Sequence, residues 1–234
     1  MESIAFLKAW LRLKNEKYKV LCMVEQNLLQ TKLPLIAILR GIKTDEAIQY
    51  VSKLIELGYF FIEVPLNSPN ALETIRLLHE KFGQRCLIGA GTVTDEMQLK
   101  QVLDIGIKLI VTPNVNSKVI TLAKQNNCCL FVGVMTPSEA FEAIHYGATL
   151  LKIYPSDVIG CHGFKAIKTV LPPSVSCFPV GGINADYKVM EKYLQFGASG
   201  FGIGSALYSP GIVLDEFVER ASAFKTSYEL AKSS

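Results

Sequence analysis

The stretch 35–65, LIAILRGIKTDEAIQYVSKLIELGYFFIEVP, decides the fold. Its two ends, LIAILRG and FFIEVP, are near-continuous apolar runs. Such runs mark strands covered on both faces, as in a parallel sheet, and not the alternation of a half-exposed one. Between them Ala47, Val51, Leu54 and Ile55 recur at helical spacing. Thr44 and Glu46 mark the start of that helix, where a side-chain oxygen satisfies free amides and an acid suits the dipole, and Gly58 marks its end. The stretch is one β-α-β unit.

The unit repeats along the chain. Apolar runs begin near Leu35, Phe60, Cys86, Lys108, Cys128, Thr149, Ser176 and Ser199, which makes eight. Thr94 with Asp95 and Glu96, and Thr136 with Ser138 and Glu139, open further helices; Gly83, Gly106, Gly147 and Gly197 close others. Val189, Met190, Tyr193 and Leu194 form a second helical stripe. Eight strand-helix units in about 200 residues favour an α/β fold closed as a (β/α)8 TIM barrel over an open doubly wound sheet, which usually has fewer strands. No linker or low-complexity stretch divides residues 31–234, so they read as one barrel domain. Residues 1–30 stand outside the repeat as an N-terminal extension, helical or disordered. Phe6, Trp10 and Leu13 could make one helical face covering the N-terminal end of the barrel, and a translation start at Met23 would leave the barrel pattern intact.

Composition excludes several classes of function. Of the 234 residues, 50% are hydrophobic and 19% charged, which suits a chain that buries a sizeable core. The net charge of +3 comes with no basic run, so a nucleic-acid partner is not expected, whereas a small anionic ligand fits. No apolar run reaches the roughly 18 residues needed to span a bilayer. Lys8 and Arg12 interrupt what would be a signal-peptide core. The six cysteines form no CxxC pair and read as reduced thiols of a cytoplasmic protein.

In such a barrel the active site lies at the C-terminal ends of the strands. Lys152 stands in TLLKIYP among Leu150, Leu151 and Ile153. A lysine there is paired, desolvated or functional. Desolvation favours the neutral amine, a nucleophile for carbonyls, while an ion pair inside the barrel is the competing reading. Lys108 opens its strand instead and reads as solvated. Glu63, between Ile62 and Val64, should have a raised pKa, which suits a group that takes and gives a proton near neutrality; it could equally be the partner of Arg40 or Lys152. Arg40 ends the first run, and its planar fork can hold a carboxylate. Thr92, after the third run, could complete that grip or be a plain loop residue. Gly181 and Gly182 follow the seventh strand, and Gly202, Gly204 and Ser205 the eighth. These are the loops where barrels of this kind often bind phosphate through backbone amides. His79 and His145 fall on helices and His162 in the loop after strand six, with no metal-ligand spacing, so no metal is expected. GxGxxG, P-loop and GxSxG patterns are absent, and no cofactor is expected.

The strings LPLIAILRG, EVPLNSP, LIGAGTV, LIVTPN, LKIYPS, PVGG and GIGS, in this order, resemble the 2-keto-3-deoxy-6-phospho-sugar-acid aldolases over about residues 30–230. PLNSP and TPN are closer to the phosphogalactonate-cleaving branch than to its phosphogluconate-cleaving epimer. The resemblance implies a class I aldolase that yields pyruvate and D-glyceraldehyde 3-phosphate and forms a homotrimer. It further implies Lys152 as the Schiff-base lysine, Glu63 as proton donor and acceptor, and Arg40 and Thr92 as holders of the pyruvyl carboxylate. Gly181, Gly182, Gly204 and Ser205 then match the phosphate loops. The family often has Pro where Val132 stands here. Two rivals use the same final loops without an imine: another phosphate-binding barrel enzyme, and a non-catalytic barrel that senses a phosphometabolite.

Overall fold

The computed structural model describes residues 32–234, so the expectations for residues 1–30, including the Phe6–Trp10–Leu13 face and Met23, lie outside the described residues. Eight strands run in sequence order: β1 (Leu33–Ile38), β2 (Tyr59–Pro65), β3 (Leu87–Gly91), β4 (Leu109–Val111), β5 (Cys129–Val134), β6 (Leu150–Ile153), β7 (Ser176–Pro179) and β8 (Phe201–Ile203). After each comes a helix: α1 (Thr44–Glu56), α2 (Ala71–Phe82), α3 (Glu96–Asp104), α4 (Ser117–Gln125), α5 (Pro137–His145), α6 (Ser156–Val170), α7 (Tyr187–Gln195) and α8 (Leu214–Ser233). The strands pair in parallel in the order β7-β6-β5-β4-β3-β2-β1-β8. Bridges Cys177↔Ala198 and Val180↔Gly202 join β7 to β8 and close the barrel.

The pleat divides each strand between two cores. Leu35, Ala37, Ile62, Val64, Leu151 and Ile153 face the helices and join the larger buried cluster. The alternate residues Ile36, Phe61, Leu109, Phe131, Leu150 and Phe178 fill the barrel as a separate buried cluster. This two-sided burial is why the strands read as unbroken apolar runs.

Local chemistry sets the ends of the helices. Asp95 caps α3 by accepting from Gln98 N at 2.9 Å. At α5, Thr136 Oγ1 accepts from Glu139 N at 3.3 Å while Glu139 Oε2 accepts from Thr136 N at 2.8 Å. At α1 the cap position is Lys43, whose amide donates to Glu46 Oε1 at 3.1 Å; Thr44 is the first helical residue and its hydroxyl pairs with that of Thr74 instead. Three further expectations are corrected. Gly83 ends α2 in a right-handed conformation (φ −59°), and what requires glycine there is the close approach of the His79 carbonyl and ring. Val189 of the second stripe is exposed, because α7 buries Met190 and Tyr193. His162 lies within α6, beyond a kink at Gly160 (φ 68°, ψ 167°), and not in a loop. No described helix is long and apolar enough to cross a membrane.

Candidate active site

The ends of β1, β2 and β3 bring one polar group together. Arg40 lies two residues past β1 and is exposed. Its Nη1 donates to Asn67 Oδ1 and its Nη2 to Thr92 Oγ1 at 3.4 Å. The neighbouring Gly41 N donates to the buried Ser68 Oγ at 2.9 Å, tying the turn after β1 to the loop after β2. Thr92 has a φ of 58°, a left-handed conformation that a β-branched residue adopts only under strain. Such strain, of order 1–3 kcal/mol, persists where the surroundings over-determine a residue. Here the strained residue presents its hydroxyl to the guanidinium.

Below this group the strands carry two charged side chains into the barrel. Glu63 pairs in register with Ile38 and Gly89, and Lys152 with Gly133 and Phe178. Glu63 is 1% exposed and Lys152 7%. They form no ion pair with each other within 4.0 Å, and Glu63 Oε2 has no hydrogen-bond partner among the described residues. Burial drives the Glu63 pKa up to about 7, against the opposing pull of Lys152 and Arg40. Burial likewise lowers the Lys152 pKa, with Glu63 opposing and Arg40 reinforcing. Lys152 Nζ sits 4.8 Å from the centroid of the Tyr154 ring, a cation–π contact that remains open to the neutral amine as ordinary packing. Gly91 makes the space for the carboxylate, since a Cβ there would run into Glu63.

A cavity of about 490 Å³ opens above Lys152 and continues towards the ends of β7 and β8. Arg40, Lys152, Gly181, Gly182, Gly204 and Ser205 all line it. Gly181 (φ 92°) and Gly182 (φ 67°) form a left-handed pair, and a Cβ on Gly182 would overlap the Asp157 side chain. The amides of Gly182, Ser205 and Ala206 donate to no acceptor among the described residues and so remain available to an anion. The lining thus has two basic side chains near β1 and β6 and unspent N–H donors at the far end.

Six of the eight expected site residues therefore share one cavity. Glu63 and Thr92 lie outside its lining and join it through the charge of Lys152 and the Arg40 hydrogen bond. Asn67, Tyr154 and Asp157 were not singled out from the sequence; Asn67 stands inside the quoted string EVPLNSP, but polar loop residues are ordinary and give no signal by type. No group of three or more His, Cys, Asp or Glu suited to a metal occurs among the described residues. Lys108 is exposed and its Nζ donates to Asn126 O at 3.1 Å, at the opposite end of its strand from the site.

The chain is similar to known proteins. The family model "KDPG and KHG aldolase" matches residues 25–223. The 2-dehydro-3-deoxy-6-phosphogalactonate aldolase of Escherichia coli (strain K12) is 41% identical over 202 residues, spanning 86% of this chain and 98% of that protein. A solved structure described as native KDPGal is 40% identical with a TM-score of 0.84, covering 87% of this chain and 98% of that one. The KDPG aldolase of Legionella pneumophila, solved with pyruvate captured as a covalent carbinolamine, is 28% identical with a TM-score of 0.71, covering 88% and 95%.

Proposed function

The chain belongs to the KDPG and KHG aldolase family of carbon–carbon lyases, and from that premise we propose that it cleaves 2-dehydro-3-deoxy-6-phosphogalactonate to pyruvate and D-glyceraldehyde 3-phosphate through an imine on Lys152. The observation that carries this reading is the shared cavity: a buried amine at one end and unspent amides of two glycine loops at the other.

Lys152, its ammonium disfavoured by burial, attacks the 2-keto carbon as the neutral amine; the carbinolamine loses water to an iminium. Arg40, held by Asn67 and Thr92, takes the adjacent carboxylate. Glu63, directly or through a water, accepts the proton of the C4 hydroxyl. The C3–C4 bond then breaks, its electron pair passing to the iminium to give an enamine while the phosphorylated aldehyde leaves. Glu63 returns the proton to C3, and water hydrolyses the imine to release pyruvate. A carboxyl group with a pKa of about 7 suits both directions of transfer. Phosphate held by the loops of Gly181 and Gly182 and of Gly204 and Ser205, on their free amides, fixes the far end of the substrate, so binding there contributes orientation at the reacting bond. The galactonate configuration follows the name of the Escherichia coli relative.

The protein is expected to work in the cytoplasm as a homotrimer. Sedimentation of the full chain measures the assembly.

The test is reduction by borohydride in the presence of pyruvate. The mass of a reduced pyruvyl group is expected on Lys152, and Lys152→Met should lose both the label and at least about 10³-fold in turnover. Labelling at another residue, or an active methionine variant, would refute the assignment. Assaying pyruvate release from the galactonate and gluconate epimers side by side decides the configuration.

A further inference from the structure

The corner between β6 and α6 contains a hydroxyl that the mechanism does not use. Ser156 is 1% exposed. Its Oγ donates to Ile153 O at 2.8 Å and accepts from Val180 N at 3.0 Å. Its own amide donates to Val180 O at 2.8 Å, and its carbonyl accepts from Tyr193 Oη at 3.3 Å. Val180 N also donates directly to Ile153 O at 3.0 Å. The two backbone groups bridged by the hydroxyl are therefore satisfied without it. A buried hydroxyl is costly unless bonded, and this one completes no pairing that would otherwise fail. What it adds is geometry, a closed ring of three hydrogen bonds that fixes the β6 corner against the end of β7.

The two chain segments fixed in this way are the two ends of the cavity. Lys152 immediately precedes Ile153, and Gly181 immediately follows Val180. The segment after Ile153 also floors the glycine loop: a Cβ on Gly181 would lie 3.2 Å from the Tyr154 ring and 3.4 Å from Pro155 Cα, and one on Gly182 would overlap Asp157. The distance from the reactive amine to the Gly181–Gly182 amides is thus set across a single corner, and Ser156 is its buried brace.

We infer that Ser156 is a positioning residue that sets the span between Lys152 and the Gly181–Gly182 loop, and so gives the enzyme its preference for aldehydes bearing a terminal phosphate over unphosphorylated ones. The inference rests on the reading of Lys152 and the distal loops given above. Loosening the brace leaves the amine free to react but lets the anion loop drift from register with it. A misplacement of about 1 Å already weakens the orienting grip.

The experiment runs the reaction in the synthetic direction, with pyruvate and either D-glyceraldehyde 3-phosphate or D-glyceraldehyde. For Ser156→Ala, KM for the phosphorylated aldehyde should rise about tenfold, in keeping with the loss of one buried hydrogen-bonded brace. The value of kcat should stay within about twofold, and kcat/KM for glyceraldehyde should be unchanged, so the preference for phosphate narrows about tenfold. Borohydride trapping of pyruvate on Lys152 should proceed at the parent rate. Tyr193→Phe, which removes the bond to the Ser156 carbonyl but leaves the hydroxyl ring, should keep the preference. If the alanine variant fails to fold, Ser156→Cys, which retains a weak donor, takes its place and should narrow the preference by a smaller factor.

Equal losses on both aldehydes, slowed trapping in the variant, or an unchanged preference would each overturn the inference. Failure of the unaltered protein to trap pyruvate would instead overturn the assignment of Lys152, which separates the two.

Discussion

Burial opposes the charge on Glu63 and on Lys152, and the resulting pH dependences have opposite signs. The folded protein holds the Glu63 proton to about pH 7, whereas the unfolded chain releases it near 4.5. Stability from this group is therefore lost as pH rises from about 4.5 to 7 and stays low above that. Lys152 behaves conversely: its folded pKa lies below 10.5, so the cost of burying its ammonium is relieved as pH rises towards the unfolded value. Glu63→Gln should match the parent in urea stability near pH 4 and exceed it at pH 8, with a ceiling of about 3 kcal/mol. The same variant should retain pyruvate adduct formation far better than turnover, because it removes the proposed proton carrier and leaves the amine. Equal loss of both would make Glu63 a positioning group for Lys152. These two residues are legible in the sequence because a charge inside an apolar run contradicts its surroundings. Arg40 is legible by its place at a strand end. Asn67 is a polar residue in a loop and Asp157 an acid in the first turn of α6, places where such residues are the rule, and the strain at Thr92 is a matter of φ that its type argues against. The role of Ser156 depends on Val180, distant in sequence, and only folding brings the two together.

At the scale of elements, strand runs and helix spacing are visible because each obeys a local period, and all eight strands fall where the apolar runs lie. The kink at Gly160 is less visible, since nothing in the spacing of α6 requires it. The loops between elements are where local rules run out: glycine announces that a turn is permitted, but which amides it leaves unpaired depends on the partner loop. Caps are the exception, and α5 tests the rule. Thr136 and Glu139 satisfy each other's free amides at its start. Thr136→Ala should lower stability by about 1 kcal/mol, the usual cost of losing such a cap. Turnover should be unaffected, since neither residue lines the cavity. A stability change within error would mean that the Glu139 contacts to Met135 N and Thr136 N, both 2.8 Å, hold the start of the helix unaided.

Closure of the barrel is the property of the whole molecule on which the site depends, because Lys152 and the distal loops lie on either side of the β6–β7–β8 arc. Pairing of β7 with β8 rests on two isolated bridges and the bond from Ser199 N to Cys177 O at 2.9 Å, against four partner pairs in the β5–β6 ladder. The seam holds because small residues let the strands and the interior approach. Gly200 is the tightest point: a Cβ there would meet the Pro34 carbonyl, the Phe178 ring at 2.6 Å and Pro34 Cβ at 2.8 Å. Phe178 in turn packs edge-on against Phe131 at 4.9 Å, and Phe131 against Phe61 at 6.4 Å, so a push at the seam crosses the barrel interior. Well-packed interiors transmit such a push and do not absorb it. Gly200→Ala should destabilise the protein by roughly 1–3 kcal/mol, read as a lower urea midpoint at unchanged slope. Because Gly200 leads through β8 into Gly204 and Ser205, KM for the phosphorylated substrate should rise as well, while pyruvate trapping on Lys152 is retained. A variant with the parent midpoint would show that β8 can shift outward without cost. The interior aromatic stack would then not be what holds the barrel closed, and the geometry of the distal loop would have to be set at the Ser156 corner alone.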